Sequence, residues 1–235
     1  MRLTGSLILL LKKTDCYDKI YKNKYIKLLI MEIKMKIYDI SQELLSCVVF
    51  PGDPAPKKDK LSSLSEGGIC NLTSLFMCAH NGTHVDAPYH FINDGKTIDE
   101  IELSQVVGMA YVADMQGVIT ANDASAVLER AKKISPEAAK RILLKGDVTV
   151  SLEAAKVFAA DGVCLVGNES QTVGPETAPI PVHHVLLGAG VVLLEGVRLK
   201  EVEEGMYLLF AAPISVSGGD GAPCRAVLVK DIKDI

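Results

Sequence analysis

This sequence predicts an α/β fold in a single domain, on three observations. Short apolar runs alternate along the chain with stretches of helical periodicity, the pattern that builds strands and the helices packed on them. The 235 residues are enough for one sizeable core and short for two. At 49% apolar and 23% charged the composition is globular, and with 5% aromatics and no Trp the core must be aliphatic.

Residues 1–34 stand apart from the rest. MRLTGSLILLLKK carries an apolar run, LILLL, that falls short of the ~20 residues of a membrane span and lacks the small-residue cleavage site of a signal peptide. The stretch after it is rich in Lys, Ile and Tyr. We expect an N-terminal extension over 1–34, outside the fold, with 35–235 forming the domain; a membrane-surface amphipathic segment is the rival reading.

From Met35 the elements follow in order. KIYDIS alternates apolar and polar residues and reads as a strand. Phe50-Pro51-Gly52-Asp53-Pro54 is a rigid turn, because Pro sets φ and Gly permits the reversal. NLTSLFMCAH (71–80) is rich in β-formers and reads as a strand running into a histidine-rich segment. TIDEIELSQVVG (97–108) predicts a helix capped by Thr97 and closed by Gly108. AYVADM is a strand, and NDASAVLERAKK (122–133) a helix capped by Asn122 or Asp123. RILLKG (141–146) fits either a helix end or a strand. SLEAAKVFAADG (151–162) is a helix with Ser151 as N-cap and Gly162 as terminator. VCLVGN and VVLLEGV are buried strands, separated by a short helix in PVHHVLLGAG (181–190). MYLLFAAPIS and RAVLVK complete the sheet, whose strand order does not follow from the pattern.

Charge and thiols narrow the function. The net charge of −4 divides into +5 over residues 1–30 and −9 over the other 205. So acidic a body is a poor grip for phosphate backbones, which excludes nucleic acid as a partner. None of the six cysteines is spaced C-x-x-C, so neither a zinc ribbon nor a thioredoxin-like motif is present. Free thiols in a reducing cytoplasm, with no membrane association, are the expectation.

HNGTHVDAPYH, residues 80–90, holds three of the five histidines. His80 and His84 are four apart, but Asn81-Gly82 is a turn dipeptide, Thr83 and Val85 are β-branched, and Pro88 pushes Ala87 into extended geometry. In an extended chain residues two apart share a face, so His84 and Asp86 point the same way, with His80 able to join across the turn. Two imidazoles and a carboxylate suit Zn²⁺, Mn²⁺ or Fe²⁺. The remaining pair, His183-His184, precedes a strand that ends in Glu195. An ionised Glu after four aliphatic residues is costly unless paired or metal-bound; the alternative is a solvated strand end. If Glu195 and either histidine reach the first group, the site holds two metals with Asp86 as a bridge. The run Ser217-Gly218-Gly219-Asp220-Gly221 lacks the Lys of a phosphate loop and reads as a tight turn. Arg225 fits either a substrate carboxylate or a structural ion pair.

These residues resemble the metal-dependent cyclase family, whose best-known members are bacterial kynurenine formamidases. HNGTHVDAPYH is similar to its H-x-G-T-H-x-D-x-P-x-H motif, IYDIS with PGDP to its opening, HHVLLGAGVVLLEG to its later His…Glu segment, and GGDGAPCRAV to its closing D-G-x-P-x-R run. The likeness spans roughly residues 37–229. It implies a swivelling β/β/α fold and a homodimer or higher homo-oligomer. It implies that His80, His84 and Asp86 hold one divalent ion and that Asp86, His183 and Glu195 hold a second. Zn²⁺ is expected, with Mn²⁺ as the alternative. His183 rather than His184 is implied by the family's spacing to the Glu, and His90 is implied as the catalytic proton carrier. The implied activity is arylformamidase, converting N-formylkynurenine to kynurenine and formate in tryptophan catabolism. Alternatives are a cyclic-amide hydrolase of the isatin type, a cyclase on another carbonyl compound, and a non-catalytic metal-binding descendant. Three departures bear on the aryl substrate: the absence of Trp, a short link before Ser151, and Asn168-Glu169 where the family favours Asp.

Overall fold

The computed structural model describes residues 34–232. A compact unit spans Ile37–Lys230. The expected extension over 1–34 lies almost wholly outside the described residues.

The unit is built on a nine-stranded mixed sheet, and the fold class is α/β as expected. Its strands in chain order are β1 (Lys34–Asp39), β4 (His84–Asp86), β5 (Val107–Asp114), β7 (Arg141–Lys145), β9 (Leu165–Asn168), β10 (Val192–Glu195), β11 (Gly205–Phe210), β12 (Gly221–Pro223) and β13 (Val227–Ile232). Strands β2 (Lys57–Ser62) and β3 (Leu72–Phe76) form an antiparallel pair of their own, and β6 (Gly117–Ile119) pairs with β8 (Val148–Val150) in parallel. The large sheet runs β1-β13-β11-β5-β7-β9-β10-β4-β12. Its centre, β5-β7-β9-β10, is parallel, and β4 and β11 join it antiparallel.

Central strands read as unbroken apolar runs because both faces of the sheet are covered. Tyr111, Ala113, Ile142, Leu144, Val166 and Leu193 point into one core, against helices α2 (Ala121–Ile134), α3 (Leu152–Ala160) and α4 (Ile180–Gly188). Their neighbours Ala110, Val112, Leu143, Leu165, Val192 and Leu194 point into a second core with Ile40, Ile98, Val197 and Tyr207. RILLKG is therefore strand, not helix end, since alternate residues serve opposite cores.

Several local expectations are corrected. The helix expected over 97–108 shrinks to α1 (Leu103–Val106), because Ile98 and Ile101 are drawn into the second core and the Ile98 N–H bonds to Gly219 O at 2.8 Å. Thr97 instead closes a turn with Asp99 and Glu100, and Gly108 lies inside β5. The N-cap of α2 is Thr120, whose hydroxyl accepts from Asp123 N while Asp123 reaches back to Thr120 N; Asn122 and Asp123 are inside the helix. The strand expected through residue 80 stops at Phe76 and pairs with β2, a basic segment (KKDKLS) without apolar alternation. That hairpin leaves Leu61, Leu72, Leu75 and Phe76 exposed. Ser151 does cap α3, its hydroxyl accepting from Ala154 N at 3.1 Å. The five described cysteines are free; Cys16 lies outside the described residues. No helix among the described residues is long and apolar enough to cross a membrane.

Phe158, fully buried on α3 against the sheet, offers a check on this packing. Phe158→Ala is expected to cost about 3–5 kcal/mol of unfolding free energy in urea titrations. Ser151→Ala, at the same helix, should cost only about 1 kcal/mol.

Candidate metal centre

The histidine segment is extended, as its residue types require. Asn81 closes a turn with Cys78, its side chain accepting from Cys78 N at 2.8 Å, and Gly82 carries a φ of 67°. Strand β4 follows, held between β10 and β12. In that register Glu195 stands opposite His84, and Leu193 opposite Asp86. The Thr83 hydroxyl donates to Gly196 O at 2.8 Å and accepts from Gln42 N at 2.9 Å, tying the start of β4 to the end of β10. Gly196 has a φ of 69°, and a Cβ there would meet Gln171 Oε1 and Gly82 O at 2.4 Å, so only glycine fits.

This framework brings together every residue of the two expected groups. His80, His84 and Asp86 form one trio, and Asp86, His183 and Glu195 another, each with its ligand atoms within 4.8 Å of one another. Asp86 belongs to both. Glu195 is 2% exposed, so it is not a solvated strand end, and its Oε1 accepts from Val173 N at 2.8 Å. On α4, His183 faces inward and is buried, while His184 is exposed.

The rings are oriented by backbone carbonyls. His84 Nδ1 donates to Gly82 O at 3.1 Å, and His183 Nδ1 donates to Pro179 O at 2.9 Å. Each Nε2 is thereby turned toward the carboxylates, the usual arrangement of imidazole ligands. His84 Nε2 lies 3.3 Å from Asp86 Oδ1 and 3.5 Å from Glu195 Oε2. His183 Nε2 lies 3.3 Å from Glu195 Oε1 and 3.7 Å from Asp86 Oδ2. Ligand atoms about 2.1 Å from a tetrahedral ion stand ~3.4 Å from one another, so this spacing fits a divalent cation. Asp86 Oδ2, buried and without a hydrogen-bond partner among the described residues, fits one too.

His90 belongs to neither trio but forms a third, less buried group with His80 and Asp220, its ligand atom also within 4.8 Å of theirs. Its ring stacks on His80 at 4.0 Å between centroids, and its Nδ1 is 3.4 Å from Asp220 Oδ2. Asp220 was not anticipated as a site residue. It also takes His80 Nε2 at 2.9 Å, while His80 Nδ1 faces Asp86 Oδ1 at 2.8 Å. The run GGDGAP carries the signal: its likeness to the family's closing D-G-x-P-x-R segment includes Asp220, to which the sequence assigns no role beyond a tight turn. Arg225 is not at the site: it is exposed and pairs with Asp39, the second of the two roles its sequence left open.

Protonation follows from this packing. Burial opposes charge on His80, but hydrogen bonds to Asp220 and Asp86 outweigh it and raise its pKa to about 11. Burial opposes charge on His84 as well, and Asp86 and Glu195 raise it to about 9. His183 is raised by Glu195 against the same burial. Asp86 is held well below the carboxylate range by His80 and His84, which overcome its burial. Asp220 is lowered to about 2, chiefly by its hydrogen bond to His80. His90 goes the other way: burial, aided by the neighbouring imidazoles, lowers its pKa and favours the neutral ring at pH 7.

A cavity of about 210 Å³ opens onto the cluster, lined by His80, His84, His90, His183 and Glu195 together with Phe50, Asp53 and Phe91. It admits a small molecule and no folded polymer.

Comparison with known proteins shows the family and the fold. The Cyclase family model matches residues 38–175. A kynurenine formamidase of Salinibacter ruber is 36% identical over 210 residues, covering 83% of this chain and 97% of that protein. A solved structure described as a potential metal-dependent hydrolase with cyclase activity is 28% identical with a TM-score of 0.68, covering 85% of this chain and all of that one. Isatin hydrolase A from Labrenzia aggregata shares the fold, with a TM-score of 0.70 at 20% identity over 84% of this chain and 94% of its own. A family match over more than half the chain, including His80, His84 and Asp86, means that this chain belongs to the Cyclase family.

Proposed function

We propose that this chain is a metal-dependent amide hydrolase of the arylformamidase type, cleaving N-formylkynurenine with water to kynurenine and formate. The observation that carries the reading is Asp86: a buried carboxylate shared by two ligand trios, with the uncommitted His90 beside it. A relative named kynurenine formamidase, 36% identical over nearly its whole length, supports the substrate.

His80, His84 and Asp86 would hold one ion, and Asp86, His183 and Glu195 the other. Imidazole and carboxylate donors suit Zn²⁺, with Mn²⁺ second. A divalent ion bound there supplies a Lewis acid and lowers the pKa of water from ~15.7 toward ~7. The chain's own part is proton movement and orientation. Asp220, facing His90 Nδ1, favours the tautomer with its proton there, so Nε2 is the base that takes a proton from the attacking water. His90 then returns that proton to the aryl nitrogen as the C–N bond breaks. No Ser or Cys nucleophile is needed, and the absence of a G-x-S-x-G elbow accords with that. The isatin-type alternative uses the same water addition to an N–C=O carbon and rests on fold likeness alone. A homo-oligomer finds an apolar surface in the exposed hairpin β2–β3.

Stripped of metal and reloaded with Zn²⁺ or Mn²⁺, the protein is expected to hydrolyse N-formylkynurenine. His90→Ala should lower kcat by about 10²–10⁴-fold while metal content, measured by elemental analysis, stays the same. No turnover with either metal at full occupancy would overturn the substrate.

Burial lowers the pKa of His90 below that of a free imidazole, so His90 should contribute an acidic limb to the kcat/KM profile that His90→Ala erases. An acidic limb left unchanged by His90→Ala would remove His90 as the base. The raised values of His80 and His84 act on the metal-free protein in the opposite sense. Their ion-pair stabilisation is complete below about pH 6.5 and lost as pH rises through about 9 and about 11. Chelated protein should therefore show a Tm that falls from pH 6.5 to pH 10.

A further inference from the structure

The turn Phe50-Pro51-Gly52-Asp53 has no part in the chemistry above, yet both its ends line the cavity. Asp53 N donates to Phe50 O at 3.0 Å, and Gly52 at the third position has a φ of 102°. Pro sets the second residue and Gly alone tolerates the third, so the first and fourth residues are held side by side. The turn thus fixes an aromatic ring and a carboxylate together at the cavity. Among the described residues no hydrogen bond or ion pair engages the Asp53 carboxylate. No lysine or arginine among them lines the cavity either, since Arg225 is committed to Asp39 at the surface. Phe91 supplies a second ring, packed at 4.5 Å against His90 and 4.7 Å against His183.

We infer that Asp53 is a specificity residue that binds a primary ammonium group of the substrate, with Phe50 and Phe91 flanking its apolar part. A carboxylate at the cavity mouth that no lysine, arginine or hydrogen-bond donor engages is open to a positively charged group of the ligand. Aromatic faces nearby favour the same charge. The substrate class is then an aryl amide whose side chain bears an amine, rather than a neutral or purely anionic one. For its substrate this inference rests on the formamidase reading; for ammonium binding it does not.

Two measurements on the metal-loaded protein test it. In calorimetric titrations, 2-phenylethylammonium should bind about tenfold more tightly than 2-phenylethanol, and Asp53→Asn should abolish that preference while Asp53→Glu restores part of it. Equal affinities in the unaltered protein, or a preference that survives Asp53→Asn, would overturn the inference. In kinetics, Asp53→Asn should narrow the KM advantage of N-formylkynurenine over formanilide about tenfold, without a matching fall in kcat. An unchanged KM ratio would also overturn it. If neither formamide is turned over by the unaltered protein, the formamidase reading fails, and calorimetry still decides the role of Asp53.

Discussion

The structure depends on burying one carboxylate. Asp86 is 1% exposed on a three-residue strand, and a charge so placed must be compensated. Without an ion, the compensation comes from imidazoles: His80, His84 and His183 all have raised proton affinity, and they face Asp86, Glu195 and Asp220. A divalent ion must displace the protons these imidazoles hold, so metal affinity rises with pH. The orphaned Asp86 Oδ2 marks where imidazolium alone does not complete the site.

The sheet explains why the cluster is rigid. Both its faces are buried, and β4 is held on one side by β10 and on the other by β12. Glu195 stands at the carboxyl end of a parallel strand, and His183 comes from the helix that leads into it, the place where α/β sheets gather ligands. The Thr83 hydroxyl and the close fit at Gly196 lock these segments together. His90 and Asp220, with side chains 26% and 46% exposed, lie on the rim of the cluster.

Much of this was legible in the residues. The spacing of His84 and Asp86 follows from β-branching and Pro88, which are local effects, and the two faces of each central strand follow from side-chain alternation. Ser151 and the helix it caps were legible for the same reason. The segment over 97–108 was not, because a tertiary hydrogen bond to Gly219 and two isoleucines in the second core override its helical periodicity. Strand β2 was missed because KKDKLS owes its conformation to pairing with β3 and not to its own residues.

By itself, then, the sequence determined an α/β domain with an aliphatic core, an extended histidine segment and the donor types of a divalent-metal site, because each of these is set within a few residues of chain. Only the tertiary structure decided that Glu195 is buried, that His183 rather than His184 turns inward, that Asp220 joins His80 and His90 from 140 and 130 residues away, and that Arg225 stays outside. Those outcomes depend on strand order and register, and strand order is a choice among distant partners that no local pattern encodes.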